Sequence, residues 1–316
     1  MAKRKAKKVT TTSDDIPLVG KAIDLAPDLQ RILAPNASPM TGWGTNTYII
    51  GDREVVIIDP GPDDTAHLAA ILSALKGRHV SRILVTHSHI DHSGLASTLS
   101  GATSAPIAAF GDSRAGRSEV MSDLIARGLA TGGEGVDHAF TPDQTLADGQ
   151  IIDGSWGRVT AIHTPGHMAN HMCFHWNEII FTGDHVMGWA SSVISPPDGD
   201  LTQFMLSCKK LAVIPCAGFL PAHGAPIETP AERLEWLLAH RYARESQILS
   251  RLEEGAATIS ELTDSLYCDL SPGLRAVAQR NVFAHAIDLT VRGEIVPKPD
   301  LRFDAKYQLF KAQDVE

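Results

Sequence analysis

The sequence predicts an α/β layered domain followed by a small winged-helix unit. Three observations carry this expectation. Short β-branched runs alternate with segments of helical period between residues 45 and 111, the pattern of strands and helices stacked in layers. A second set of closely spaced apolar runs lies between 158 and 224, as a β-rich half with its own helices. From Pro230 the texture changes to three helical segments and a β-rich end, the element order of a winged helix. The expected boundaries are a basic tail over 1–14, the layered domain over 15–229, a linking helix over 230–253 and the winged-helix unit over 254–316.

Taken in order, "TNTYIIG" (45–51) and "REVVIIDPG" (53–61) are β-branched runs broken by Gly-Asp, which predicts a hairpin. "DDTAHLAAILSALKG" (63–77) opens on acids and ends on Gly, so it is a helix. "SRILVTH" (81–87) is a short buried strand, "SGLASTLSG" (93–101) a short helix and "APIAAFG" (105–111) a strand. Residues 113–131 are expected to be helical, and "TGGEG" (131–135) a mobile loop. Strands follow at 158–164, 171–176 and 178–184, the last two joined by a tight turn at "WNE". A helix near 201–214 and the strand "GFLPAHG" (218–224) close the domain. The long helix from Pro230 has Pro at its start and Gly at its end. Thr258 and Glu261 predict a capping box, a further helix spans 272–293, and "EIVPKPDLRFDAKYQLF" is a β-wing.

Composition narrows the class. The 316 residues are 43% hydrophobic and 21% charged, enough for a sizeable core. No apolar run approaches the ~20 residues that cross a bilayer, and "MAKRKAKK" lacks the apolar stretch of a secretory signal. Cys173, Cys208, Cys216 and Cys268 show no CxxC spacing, which predicts buried free thiols and a cytoplasmic protein. The tail 1–8 carries +5, whereas residues 9–238 carry −12. A body this acidic repels polyanions unless bound metal offsets the field.

The chemistry is concentrated in "THSHIDHSG" (86–94). Three histidines and an aspartate leave the end of a strand, with His87 and His89 able to point to one side and Asp91 and His92 to the other. Imidazole and carboxylate together suit zinc. Ligand-competent residues recur at later strand ends: His167 in "TPGH", Asp184 in "TGDH" and His223 in "PAHG". Active sites of layered α/β folds gather at such ends.

These motifs, with "IIDPG" (57–61) upstream, resemble the metallo-β-lactamase superfamily over residues of about 40 to 225. The resemblance implies a four-layered αββα sandwich with two Zn2+ ions in its cleft, iron or manganese being the alternatives. It implies His87, His89 and His167 on one metal, Asp91, His92 and His223 on the other, and Asp184 bridging both. Asp59 then resembles a residue that orients a ligand histidine. The flanking segments 34–51 and 183–200 and the winged-helix end resemble a subgroup that includes an animal mitochondrial β-lactamase-like endoribonuclease and bacterial relatives. A dinuclear zinc site implies a metal-bridging hydroxide as nucleophile at neutral pH, with Asp91 or a metal-bound water passing a proton to the leaving group. No GxSxG pattern competes with it.

Other residues are weighed beside these. Asn46, His171, His185 and Trp189 are candidates for contacts to the ligands or substrate, against structural roles. His163 and His175 are expected to be structural, and His67, His79, His138, His240 and His285 ordinary surface or helix residues. Arg275 and Arg280, with Asp288 on the same helix, make a poor phosphate tracker, so an interdomain or homodimer contact is expected of them. The expected function is hydrolysis of a small ester, thioester or lactone, a small-molecule substrate. The alternative is a metal-dependent endoribonuclease acting on single-stranded RNA, which calls for a basic groove with aromatics. Aromatics are only 6% of this chain.

Overall fold

The computed structural model describes residues 16–129, 135–267 and 270–311. The expected tail 1–14, most of the expected loop 131–135, and Cys268 lie outside the described residues.

The first sheet holds seven strands in sequential order. They are β1 (Ile23–Ala26), β2 (Leu29–Leu33), β3 (Asn46–Ile50), β4 (Glu54–Ile58), β5 (His79–Leu84), β6 (Ile107–Ala109) and β7 (Gln144–Thr145). The pairs from β1 to β4 are antiparallel, and those from β4 to β7 parallel. Helices α1 (Thr65–Leu75), α2 (Ile90–Ser93) and α3 (Ala96–Thr103) fall between β4 and β6, and α4 (Glu119–Ala126) precedes β7.

The second sheet is built from β8 (Ile151–Gly154), β9 (Gly157–His163), β10 (Met172–Trp176), β11 (Ile179–Gly183) and β12 (Gly218–Pro221), in the order β12-β11-β10-β9-β8. Helix α5 (Leu201–Ala212) makes the crossover that lets β12 run parallel to β11.

Alternation along the strands explains the layering. Val56 and Ile58 of β4, and Phe174 and Phe181 of the second sheet, share the core between the sheets. Val55 and Ile57 face the other way, onto Ile71 of α1 and Leu99 of α3. On the far side, Cys173 and Ile180 pack on Leu201 and Phe204 of α5. Side chains of period two thus serve two cores, and helices cover both outer faces of an α/β sandwich.

Helix α6 (Pro230–Glu253) leads into β13 (Ala257–Thr258), α7 (Ile259–Leu266), α8 (Pro272–Val291), β14 (Ile295–Lys298) and β15 (Lys306–Leu309). The three strands form a separate sheet, β13-β15-β14. The Thr258–Glu261 capping box is present. This unit is packed on the sandwich: Met121 and Leu124 of α4 enter its core, and Leu234, Leu237 and Ala284 enter the core of the second sheet. No described helix is long and apolar enough to cross a membrane.

Two expectations are corrected here. The helix expected over 113–131 is confined to Glu119–Ala126, because Ser118 caps its start and glycines with positive φ, Gly116 and Gly128, bracket it. His67 and His285, expected at the surface or on ordinary helix faces, are both buried. His67 Nε2 meets Thr47 Oγ1 at 2.8 Å, and burial holds its pKa down at about 4.

Candidate metal centre

All the motif residues leave the C-terminal ends of strands at one end of the sandwich. His87 follows β5, His167 follows β9, Asp184 follows β11 and His223 follows β12. Helix α2 begins right after His89, so its first turn carries Asp91 and His92. Two groups of donors result: His87, His89, His167 and Asp184, and beside them Asp91, His92 and His223, each with its donor atoms within 4.8 Å of one another. Asp184 stands between the groups. Its Oδ1 lies 3.2 Å from His223 Nε2 and 3.5 Å from His92 Nε2, while its Oδ2 lies 3.6 Å from His167 Nε2.

The surroundings decide which nitrogen each ring offers. His92 Nδ1 donates to Asp59 Oδ2 at 3.0 Å. His167 Nδ1 donates to the Val193 carbonyl at 2.7 Å, and His223 Nδ1 to the Gly44 carbonyl at 3.1 Å. Thr86 Oγ1 gives its own proton to Asp59 Oδ2, so it accepts from His87 Nδ1 at 3.0 Å. Four histidines thereby keep a proton on Nδ1 and turn Nε2 toward the centre. His89 instead turns Nδ1 inward, 2.9 Å from His87 Nε2 and 3.1 Å from His167 Nε2.

Three imidazole nitrogens converging this closely repel unless a cation sits among their lone pairs. Burial keeps all three rings neutral: His87 lies well below its ordinary pKa, His89 is down at about 3 and His167 is also lowered. In the second group burial acts the same way but is outweighed. Asp91 and Asp184 raise His92 far above its usual value, and Asp184 and Asp91 raise His223 to about 10. This group draws positive charge, and a metal would displace those protons. Among the described residues, His92 Nε2 and Asp184 Oδ1 are buried without a hydrogen-bond partner, a cost that a metal removes. The donor set of five imidazoles and two carboxylates fits a borderline transition ion such as zinc.

The remaining candidates divide into those that hold ligands and those that do not. Asn46 donates to the carbonyls of Pro221 and Gly224 at 3.1 and 3.0 Å, bracketing His223. His171 Nε2 accepts from the Asp184 amide at 3.2 Å, and its Nδ1 meets Thr164 Oγ1 at 2.9 Å. Gly183 has φ +49, and a Cβ there would lie 2.5 Å from His171 Nε2, so only glycine allows this contact. His185 turns toward the helical layer, against Phe204 and with Nε2 3.5 Å from Cys208 Sγ. The indole of Trp189 lies on Gly42 and Gly224.

Thr45 was not singled out by the sequence, yet its Oγ1 donates to Asp91 Oδ2 at 3.2 Å. Asn36 in turn holds Thr45 through two hydrogen bonds of 2.9 Å. The polar run "GTNT" (44–47) at the start of β3 was the available signal.

Asp59 joins the strand end to the centre. It sits at φ +50, and besides His92 it accepts from the Thr86 amide at 2.8 Å. Asp59→Asn would place an amide against two donors, Thr86 Oγ1 and His92 Nδ1. His92 is then expected to move its proton to Nε2, the inward atom. The expected result is metal affinity lower by about 10–100-fold at the second group, measured by chelator competition. Unchanged affinity would show that Asp59 only closes the turn.

Comparison with known proteins agrees with this geometry. The family model "Metallo-beta-lactamase superfamily" matches residues 40–235. The chain is 30% identical to the lactamase-like protein aptB of Emericella nidulans over 274 residues, 81% of this chain and 79% of that protein. It is also 30% identical to an atrochrysone carboxyl ACP thioesterase of Aspergillus fumigatus, covering 80% of this chain and 77% of the relative. A beta-lactamase domain protein from Burkholderia ambifaria superposes with a TM-score of 0.77 at 21% identity, covering 94% of this chain and 96% of that one. With that model matched over residues 40–235 and the strand-end histidines and carboxylates gathered inside the match, the chain belongs to the metallo-beta-lactamase superfamily and is a hydrolase.

Proposed function

We propose that this hydrolase holds two zinc ions and cleaves a thioester of a small-molecule acyl group. The observation that carries the reading is the position of Asp184, whose two oxygens face the two donor groups. His87, His89 and His167 would hold one ion, Asp91, His92 and His223 the other, and Asp184 both. When bound, the pair of ions would supply an activated water and polarise the substrate carbonyl.

The chain's own residues do the rest. Asp59, Thr86, Val193 and Gly44 accept from Nδ1 of four rings and so turn each Nε2 inward. Thr45 holds Asp91 by its hydroxyl. Hydrolysis forms a C–O bond and breaks the C–S bond, and a thiolate of pKa ~8.5 leaves without prior protonation. A thioester therefore asks less of the site than an alkyl ester, and the thioesterase relative supports the choice.

The C-terminal unit we read as a winged helix that packs. Its arginines are engaged inside the chain: Arg275 with Asp264 at 2.7 Å, and Arg280 with Ser195 Oγ at 2.7 Å.

A hydrolysis screen of zinc-loaded protein on acyl thioesters, lactones, β-lactams and single-stranded RNA tests the reading. Thioesters are expected to be cleaved fastest, with close to two zinc ions per chain by elemental analysis. Between about 50 and 200 mM salt, kcat/KM on a neutral thioester should change by less than about twofold, since no counterions are released. RNA cleavage that falls an order of magnitude over the same range would establish the nuclease alternative.

A further inference from the structure

The segments that carry and flank the donor groups contain no lysine or arginine: 36–46, 87–92, 184–192 and 222–227 are free of both. They therefore offer no lysine or arginine to pair with a phosphate or a carboxylate on the substrate. They do expose large apolar side chains. Ile90, between His89 and Asp91, is 48% exposed, Met40 is 46% and Trp189 is 47%.

Trp189 is built in as a rigid plate. A Cβ on Gly42 would lie 3.3 Å from its ring, and one on Gly224 2.6 Å. Both glycines have positive φ, +59 and +86, so the indole rests on bare backbone that a side chain would push away. Arg233 of α6 fixes the loop on both sides, donating from Nε to the Met187 carbonyl and from Nη2 to the Ala190 carbonyl, each at 2.7 Å. The seat adjoins the centre, because Gly224 follows His223. An exposed aromatic plate held this firmly, beside a hydrolytic centre and with the nearby Arg233 guanidinium spent on backbone carbonyls, suits a flat apolar group.

We infer that Trp189 is a specificity-determining residue whose open face takes the acyl group of the thioester and favours planar, aromatic acyl groups. This rests on the thioester reading above. Stacking on an indole adds about three- to tenfold beyond simple burial.

The test compares benzoyl and acetyl thioesters of the same thiol, N-acetylcysteamine, on the zinc-loaded full chain, its Trp189→Ala variant and its Trp189→Phe variant. Wild type should favour benzoyl. In Trp189→Ala the benzoyl-to-acetyl ratio of kcat/KM should fall about three- to tenfold through KM, with zinc content unchanged, and Phe should restore most of it. Calorimetric binding of 2-naphthoate, which mimics an aromatic acid product, gives a readout independent of turnover. It should weaken at least about threefold in Trp189→Ala. An unchanged ratio, or naphthoate binding indifferent to the substitution, overturns the inference. If no thioester is cleaved but naphthoate binding depends on Trp189, the thioester reading fails and the aromatic seat stands.

Discussion

Asp184→Asn is expected to fold normally and to lose at least ~2–4 kcal/mol of transition-state stabilisation, by analogy with removing one electrostatic stabiliser. The carboxylate lies 3.2 Å from His223 through one oxygen and 3.6 Å from His167 through the other, so it faces both donor groups at once. Asparagine keeps the shape but offers one good oxygen and no charge. The charge matters because Asp184, first among the carboxylates acting on it, keeps His223 at about 10. Added zinc should rescue the variant only partly, since separation as well as occupancy is lost. The bland alternative is that Asp184 caps the turn after β11, supported by its backbone contact with His171. Zinc stoichiometry and kcat measured on one preparation decide. Full metal content with near-normal kcat would retire the bridging role.

The donor groups were legible because each comes from a short motif read locally: an apolar run followed by histidine or aspartate. The fold placed those strand ends together, as the layered reading required. The partners of the rings were not legible. Val193 and Gly44 act through backbone carbonyls, which carry no residue code, and Val193 stands 26 residues from His167. Strands β1 and β2 escaped reading because Asp24, Gln30 and Arg31 dilute the apolar period, and Asp28 at φ +61 makes a turn without glycine. His285 was missed for a related reason. Helix α8 is embedded between two cores, with Ala284 in one and Phe283 in the other. A helix buried on several sides has no single polar face to predict.

That embedding gives the C-terminal unit a part in the centre itself, and Arg241→Met measures it. Arg241 is buried on α6, donating to the Ser192 carbonyl at 2.5 Å and to Asn281 Oδ1 at 3.3 Å. Asn281 Oδ1 also accepts from the Ile194 amide at 3.1 Å. Residues 192 and 194 flank Val193, whose carbonyl fixes the His167 ring. The guanidinium thus holds the segment that holds a donor. Methionine fills similar volume but leaves the Ser192 carbonyl unpaired and Asn281 with one donor fewer. The expected cost is about 1.5–3 kcal/mol of stability, the range for hydrogen bonds to a charged group, read as a lower denaturation midpoint. A merely structural role would stop there. If the clamp positions His167, zinc affinity at the first donor group should also fall by about tenfold, while the second group, anchored through Asp59 and Gly44, keeps its affinity. Arg275→Ala, which removes an exposed pair with Asp264, should change neither quantity, since such pairs contribute about 0–1 kcal/mol. Equal weakening of both groups in Arg241→Met would trace the loss to general loosening of the fold instead of to the Val193 segment.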